Sequence, residues 1–297
     1  MKKIPSYIAI FCLIIASVLI VPSCSTNSTK SIKTTLKGEV IDRPETTHLM
    51  LFKESEGFGT NWTEIPIVNG KFEYVLNSEH KEMYIIAFNE EFEQGYMRAV
   101  HFFSEPGVVE FTLFPMNRFR ENKVKGGELT KKFWNYWNTI LDKSEKIDND
   151  LLQYLEDNYG EIIEKQELPE EYADLADHPW WQDLYGKVQL LEFAGIDVRA
   201  FIDSIRDNGY EQLFHWQFQY IKDNPTLVGY SILVSRAGSI ISMNEVIEEG
   251  YSSARLEDIS PYVELYQTVF APKFPNHPYT EKMEMLLASM AIKQEFF

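Results

Sequence analysis

The sequence predicts an α+β fold, an N-terminal antiparallel β-sandwich followed by a C-terminal all-α helical domain. Residues 34–116 are short β-rich runs broken by turn dipeptides, whereas from Glu128 onward apolar residues recur every three or four positions. The change falls at Gly126-Gly127. The division expected is a lipoprotein signal peptide over residues 1–23, a tether over 24–33, the sandwich over 34–125 and the helical domain over 126–297.

The first element is an export signal. Lys2 and Lys3 form a basic start, and Ile8 to Val21 is an apolar run with Ser17 as its one polar interruption. At about 14 residues the run falls short of the roughly 20 that span a bilayer. It ends in Val21-Pro22-Ser23-Cys24, which resembles the lipobox cut by lipoprotein signal peptidase, with Pro22 the less usual residue in it. The alternative is an ordinary signal peptide with an incidental cysteine. Lipidation at Cys24 holds the chain by more than one acyl tail, which is what stable anchoring requires. The polar tract Ser25–Ser31 then reads as a tether with nothing to bury. It lacks the acidic cluster typical of surface-displayed lipoproteins, so the expected location is the outer membrane, facing the periplasm.

The β elements follow. Thr34–Ile41 and His48–Lys53 flank a turn containing Pro44. Glu64–Val68 and Lys71–Leu76 flank Asn69-Gly70, a pair suited to the positive φ angles of a two-residue hairpin. Met83–Phe88 is a further strand, and Arg98–Phe103 and Val108–Phe114 straddle the turn Glu105-Pro106-Gly107. Glu90, Glu91 and Glu93 read as a charged loop between strands.

The helical pattern opens with Phe133, Trp134, Trp137, Ile140 and Leu141. Further helices are predicted over 149–165, 180–193, 198–208, 210–223, 226–238, 257–270 and 280–294, with Pro225, Pro261, Pro275 and Pro278 between them. Thr280 is the predicted cap of the last helix, with Met283 as its first apolar contact.

Charge and cysteine usage exclude several classes. The formal net charge of −17 becomes −19 once Lys2 and Lys3 leave with the signal peptide, and such a surface repels phosphates. Nucleic-acid binding is therefore not expected. Both cysteines are accounted for, Cys12 by removal and Cys24 by lipid, which leaves no thiol for a disulfide, a redox pair or a zinc–thiolate site.

The Gly38 strand, the Val68–Phe72 hairpin, Phe102–Gly107, and Gly126-Gly127 before an aromatic helix together resemble a domain of unknown function in Bacteroidota lipoproteins. There it stands before a thioredoxin-like (TlpA or peroxiredoxin-type) domain. Tyr220–Pro225 with Val228-Gly229-Tyr230, and Phe274–Tyr279, resemble the linker region of that group. The likeness covers roughly residues 34–295 and concerns turns and packing rather than chemistry. The expectation is of that architecture without its redox domain, so thiol–disulfide activity is not carried over.

Candidate chemistry is sparse. No two of His48, His80, His101, His178, His215 and His277 stand at HxH or HxxxH spacing, and no cofactor or metal is expected. His277, in a Pro-flanked turn, is assigned a local hydrogen bond to backbone. His178 precedes Trp180 and Trp181; an exposed aromatic pair beside a carboxylate such as Asp183 could stack on a sugar, although such pairs more often fill a core. Asp142, Asp148 and Asp150 lack the Gly and distal Glu of a calcium loop and read as a solvated face. No GxSxG elbow or SxxK pair occurs, and paired carboxylates for glycoside hydrolysis have no fixed spacing to test. The leading expectation is a non-enzymatic, periplasm-facing lipoprotein acting in binding or protein interaction. The alternatives are an accessory subunit whose thioredoxin-like domain lies on another chain, and a carbohydrate-binding lipoprotein using His178, Trp180 and Trp181.

Overall fold

In a computed structural model the described residues are 31–57, 61–95, 98–166, 184–250 and 256–296, with side chains described as far as 291. The strands are β1 (Ile32–Val40), β2 (His48–Lys53), β3 (Trp62–Pro66), β4 (Lys71–Ser78), β5 (Met83–Phe88), β6 (Val100–Phe103), β7 (Gly107–Leu113) and β8 (Lys123–Lys125). They form two four-stranded sheets, ordered β4-β1-β7-β8 and β3-β2-β5-β6. The helices are α1 (Asn89–Glu93), α2 (Glu128–Lys165), α3 (Leu184–Phe193), α4 (Arg199–Asp223), α5 (Leu227–Glu248), α6 (Ser260–Leu265), α7 (Ala271–Lys273) and α8 (Pro278–Phe296). A sandwich followed by helices is thus the architecture found.

The register departs from expectation at the turns. Asn69 and Gly70 take the positive φ angles foreseen, 53° and 70°, and Val68 bridges Lys71. The strands on either side then part: β3 pairs with β2, and β4 pairs with β1. The turn is a corner at which the chain changes sheets, held by hydrogen bonds from Val40 N to Gly70 O and from Ile67 N to Thr47 O. Glu105-Pro106-Gly107 is a second such corner, because β6 lies in one sheet and β7 in the other. Entering from that corner, β7 runs parallel to β1, from Thr34↔Gly107 to Val40↔Leu113, so the first sheet is mixed rather than wholly antiparallel. Gly38 belongs to this pairing, since a Cβ there would stand 2.5 Å from the Phe111 carbonyl oxygen.

Alternation places Leu49, Leu51, Tyr84, Ile86, Phe88 and Phe102 on the inner face of the second sheet, against Leu36, Phe72, Val109 and Phe111 of the first. Its outer face is also covered. Met83 and Phe103 pack into the helical core with Phe133, Tyr230, Phe270 and Tyr279. Coverage on both sides explains why all six residues of β5 are buried.

Four helical expectations change. The helix at 128 and the helix at 149–165 are one helix of 38 residues, α2, with no proline to interrupt it. The helices at 198–208 and 210–223 are likewise one, α4: Gly209 does not break it but brings its backbone to Ile147, whose side chain lies 3.0 Å from where a Cβ would stand. The stretch predicted as 257–270 is α6 running into a π-helical turn, Tyr266–Phe270. The acidic loop at 90–93 is the one-turn helix α1, with Glu91 buried and held by Arg43 at 2.7 Å.

The texture change at Gly126-Gly127 has a definite cause. The Glu105 carboxylate accepts hydrogen bonds from Leu129 N (3.0 Å) and Thr130 N (3.3 Å), capping α2 from the β6–β7 corner. A Cβ on Gly127 would overlap that carboxylate. Thr34 Oγ1 donates to Glu105 O at 2.8 Å, and Phe103 N donates to Thr130 Oγ1 at 3.0 Å, tying helix and sheet together.

Candidate functional site

Cys24, His178, Trp180, Trp181 and Asp183 lie outside the described residues. Among the described residues, no helix is long and apolar enough to cross a membrane.

The polar groups that the fold does gather sit where the outer face of the second sheet meets the helices. β2 ends at Lys53, and a one-turn 3-10 helix, Glu54–Glu56, follows it directly. Lys53 Nζ lies 3.3 Å from both Glu56 and Glu82. Burial pulls the Lys53 pKa down, but Glu82 and Glu56 outweigh it and hold the ammonium above its ordinary range. Glu82 itself is 1 % exposed and also accepts from Ser55 Oγ at 2.7 Å. Burial raises its pKa, and Ser55 and Lys53 offset that only in part.

Glu54 has fewer partners. Burial pushes its carboxyl up to about 7, with Lys282 pulling down and Glu82 pushing further up, and its Oε2 is sealed from solvent without a hydrogen bond. Across the same recess, His101 projects from β6 toward the helices. Its ring stands 5.2 Å from Phe133 and 5.6 Å from Trp137, centroid to centroid. Burial lowers its pKa to about 4, with a hydrogen bond to the Ala99 backbone acting the other way. Its Nδ1 is likewise sealed and unpartnered, as is the neighbouring Trp137 Nε1. Glu54 and His101 line one cavity of about 160 Å³ with Lys53, Gly57, Ile85 and Ser235. Ser235, on α5, is exposed and stands at its rim.

The helical wall of this seam is fixed by polar contacts. Tyr279, wholly buried, accepts from Met83 N at 2.7 Å. Thr280 Oγ1 donates to Phe274 O at 2.7 Å and so accepts from Tyr230 Oη at 2.8 Å. Thr280 is therefore inside α8 rather than its cap. The capping group is His277: its Nδ1 accepts from Tyr279 N at 3.2 Å, the local backbone bond expected of it, while its Nε2 donates to Lys81 O at 3.1 Å. Burial lowers its pKa. The fold also brings His277 to His80, with ring centroids 5.6 Å apart, a pair that no spacing rule reveals.

On the other side of Lys53 an open cleft of about 420 Å³ lies between the two sheets, lined among others by Asn61, Trp62, Thr63, Tyr74, Asn77 and Tyr84. The aspartates of the expected acidic face are on α2, where Asp142 meets Arg120 at 3.1 Å and Asp150 meets Lys146 at 2.5 Å. His215 lies exposed near Glu211 on α4, and His48 Nδ1 is 3.0 Å from the Thr47 hydroxyl.

Sequence reasoning missed Glu54, Glu82 and His101. A signal for His101 was present: strict alternation puts Val100 and Phe102 inward, so His101 shares the outer face with Phe103. No family model, no curated protein and no solved structure matches this chain.

Proposed function

We propose that this chain is a lipid-anchored envelope protein that works by binding a small ligand in the cavity between sheet and helices. The observation that carries the reading is the pair of sealed, unpartnered polar atoms, Glu54 Oε2 and His101 Nδ1, on one cavity whose rim is exposed at Ser235. Buried polar atoms are ordinarily hydrogen-bonded, and two orphans on one recess mark a place prepared for a partner. The anchor is lipid on Cys24, read from Val21–Cys24, and the location follows as the outer membrane facing the periplasm.

The cavity is tested by ligand-observed magnetic resonance with a library of fragment-sized compounds, comparing native full-length protein with Ser235→Trp. Ser235 is exposed, so the indole fills the rim without entering the core. Compounds that bind the native chain and are lost in the variant support the reading, and an empty list removes it. The anchor is tested separately: Cys24→Ala abolishes labelling by a radioactive fatty acid in cells, and equal labelling of both forms rejects lipidation.

A second reading, saccharide binding, is favoured by the open cleft, whose amides, hydroxyls and aromatic rings match a polyhydroxylated ligand. Glycan-array binding weakened by Tyr74→Ala and Asn77→Ala supports it. Binding unchanged in both variants moves the site elsewhere.

A further inference from the structure

We propose that the cavity takes a small organic ammonium ion of about the bulk of benzene, with Glu54 as its counter-ion and His101 as a hydrogen-bond acceptor. This rests on the cavity being a binding site and adds the charge and size of what it binds. Both orphaned groups can accept a hydrogen bond. Ionised Glu54 offers only lone pairs, and the neutral His101 ring carries one lone pair, which an N–H donor placed at Nδ1 fixes on that nitrogen. A primary ammonium has three donors and no acceptor, so it satisfies both groups at once.

Other charge classes fit less well. An anion would face an unpartnered buried carboxylate. A metal ion needs a larger ligand set, and among the described residues no group of three His, Cys, Asp or Glu side chains is placed to hold one. Lys53, the cation on the lining, is already engaged by Glu56 and Glu82, and Lys282 of α8 acts on Glu54 through its charge without hydrogen-bonding Oε2. The net charge of −17 concentrates cations around the molecule and repels anions.

Size and texture narrow the class further. The cavity measures about 160 Å³, and an engineered cavity of roughly 150 Å³ in another protein holds one benzene. Ile85 supplies an apolar wall for an alkyl stem, and Trp137 and Phe133 stand behind the His101 ring. Uptake is linked to a proton. Burial leaves the Glu54 carboxyl titrating at about 7, so near neutral pH part of the population carries a proton there. A cation that binds the ionised form displaces that proton to the buffer.

The test is calorimetric titration of full-length protein in detergent with butylammonium chloride and, separately, with the isosteric 1-butanol. The expected result is butylammonium bound at least about tenfold more tightly than 1-butanol. Its affinity rises between about pH 6 and about pH 8, and near pH 7 two buffers of different ionisation enthalpy report a fraction of a proton released. Glu54→Gln weakens butylammonium about tenfold or more and spares 1-butanol. If Glu54→Gln fails to fold, the pH dependence of the native chain decides alone: an affinity that does not rise with pH overturns the proposal. Equal affinity for amine and alcohol, unchanged in Glu54→Gln, overturns the charge assignment while the cavity stands as a binding site. Neither compound binding, while fragments sensitive to Ser235→Trp do bind, again sinks only the ammonium class. No binder of any kind sinks both readings.

Discussion

The two faces of the second sheet are built from the same four-to-six-residue strands yet bury different chemistry. The inner face meets the first sheet through Leu49, Leu51, Ile86, Val100 and Phe102, with Tyr84 in the same buried cluster. The outer face meets the helices through Met83 and Phe103, and His101 stands beside Phe103 on it, with Glu54 and Glu82 at the strand ends. One face gains its stability from area removed from water and a close fit. The other must also satisfy charges and donors, and two of its polar atoms, Glu54 Oε2 and His101 Nδ1, have no protein partner. Apolar packing and buried polar groups are thus divided between two sides of one sheet, and a substitution on each side has a different signature.

The largest effect lies on the inner face. Phe102 is fully buried, stacks on Tyr84 at 5.8 Å and meets Phe111 edge-on at 5.5 Å. Phe102→Ala removes those contacts and leaves a cavity, at a cost of about 4 kcal/mol. Denaturant unfolding of the variant measures it, and the loss is the same at every pH because the rings it packs on, Tyr84 and Phe111, do not titrate in the acid-to-neutral range. A loss that varies with pH would mean that the two faces are not independent.

The outer face responds to pH, in two opposed directions. His101 titrates at about 4 in the folded chain against an ordinary 6.5, so the unfolded chain binds more protons between those values. Its contribution is full above pH 6.5 and is lost as pH falls toward 4. Glu54 titrates at about 7 against an ordinary 4.5, so here the folded chain binds more protons. Its contribution is full below pH 4.5 and is lost as pH rises through 7. Each shift corresponds to about 3 kcal/mol, and over most of the window they cancel. Glu54→Gln uncovers the His101 slope, and stability relative to the native chain then climbs with pH by about 3 kcal/mol. His101→Gln uncovers the Glu54 slope, and relative stability falls with pH by a similar amount. Two flat difference curves would show that neither group is buried as the cavity requires.

This contrast also marks what the sequence can disclose. Alternation along Leu49–Phe52 and Val100–Phe103, and the three-to-four spacing after Glu128, follow from local geometry, so sandwich and helices are legible in order. Asn69-Gly70 discloses its turn for the same reason. Which strand lies beside which depends on contacts distant in sequence: the parallel β1–β7 pairing, and the parting of β3 from β4, leave no local trace. The cavity is less legible still. Glu54 follows a strand as any turn residue does, and only the arrival of α5 and α8, far later in the chain at Leu227 and Pro278, turns it into a buried carboxyl. The expected export signal is the opposite case, a linear pattern of Lys2, Lys3, the apolar run Ile8–Val21 and Val21–Cys24 that is read without any tertiary contact.

The smallest expected effect tests how the helical wall is fastened to the sheet. Tyr279 Oη accepts from Met83 N, the first residue of β5, and the ring is fully buried between Tyr230 and His277. Tyr279→Phe keeps the ring and its packing, so the transfer and cavity costs that dominate Phe102→Ala are absent. What it removes is the acceptor for one buried amide, and leaving such a donor unpaired costs about 2 kcal/mol. The location of the loss is more diagnostic than its size. Met83 lies one residue after Glu82 and two before Ile85, so the freed amide belongs to the strand that floors the cavity. Native-state hydrogen exchange should then quicken at Met83 in Tyr279→Phe while Ile86 and Phe102, committed to the inner face, exchange as before. Quickening spread evenly over both faces would mean that α8 steadies the whole sandwich and that the seam is not a separate unit. Exchange unchanged at Met83 would mean that a neighbouring hydroxyl, such as that of Ser231, takes over as acceptor and that Tyr279 holds the seam by its ring alone.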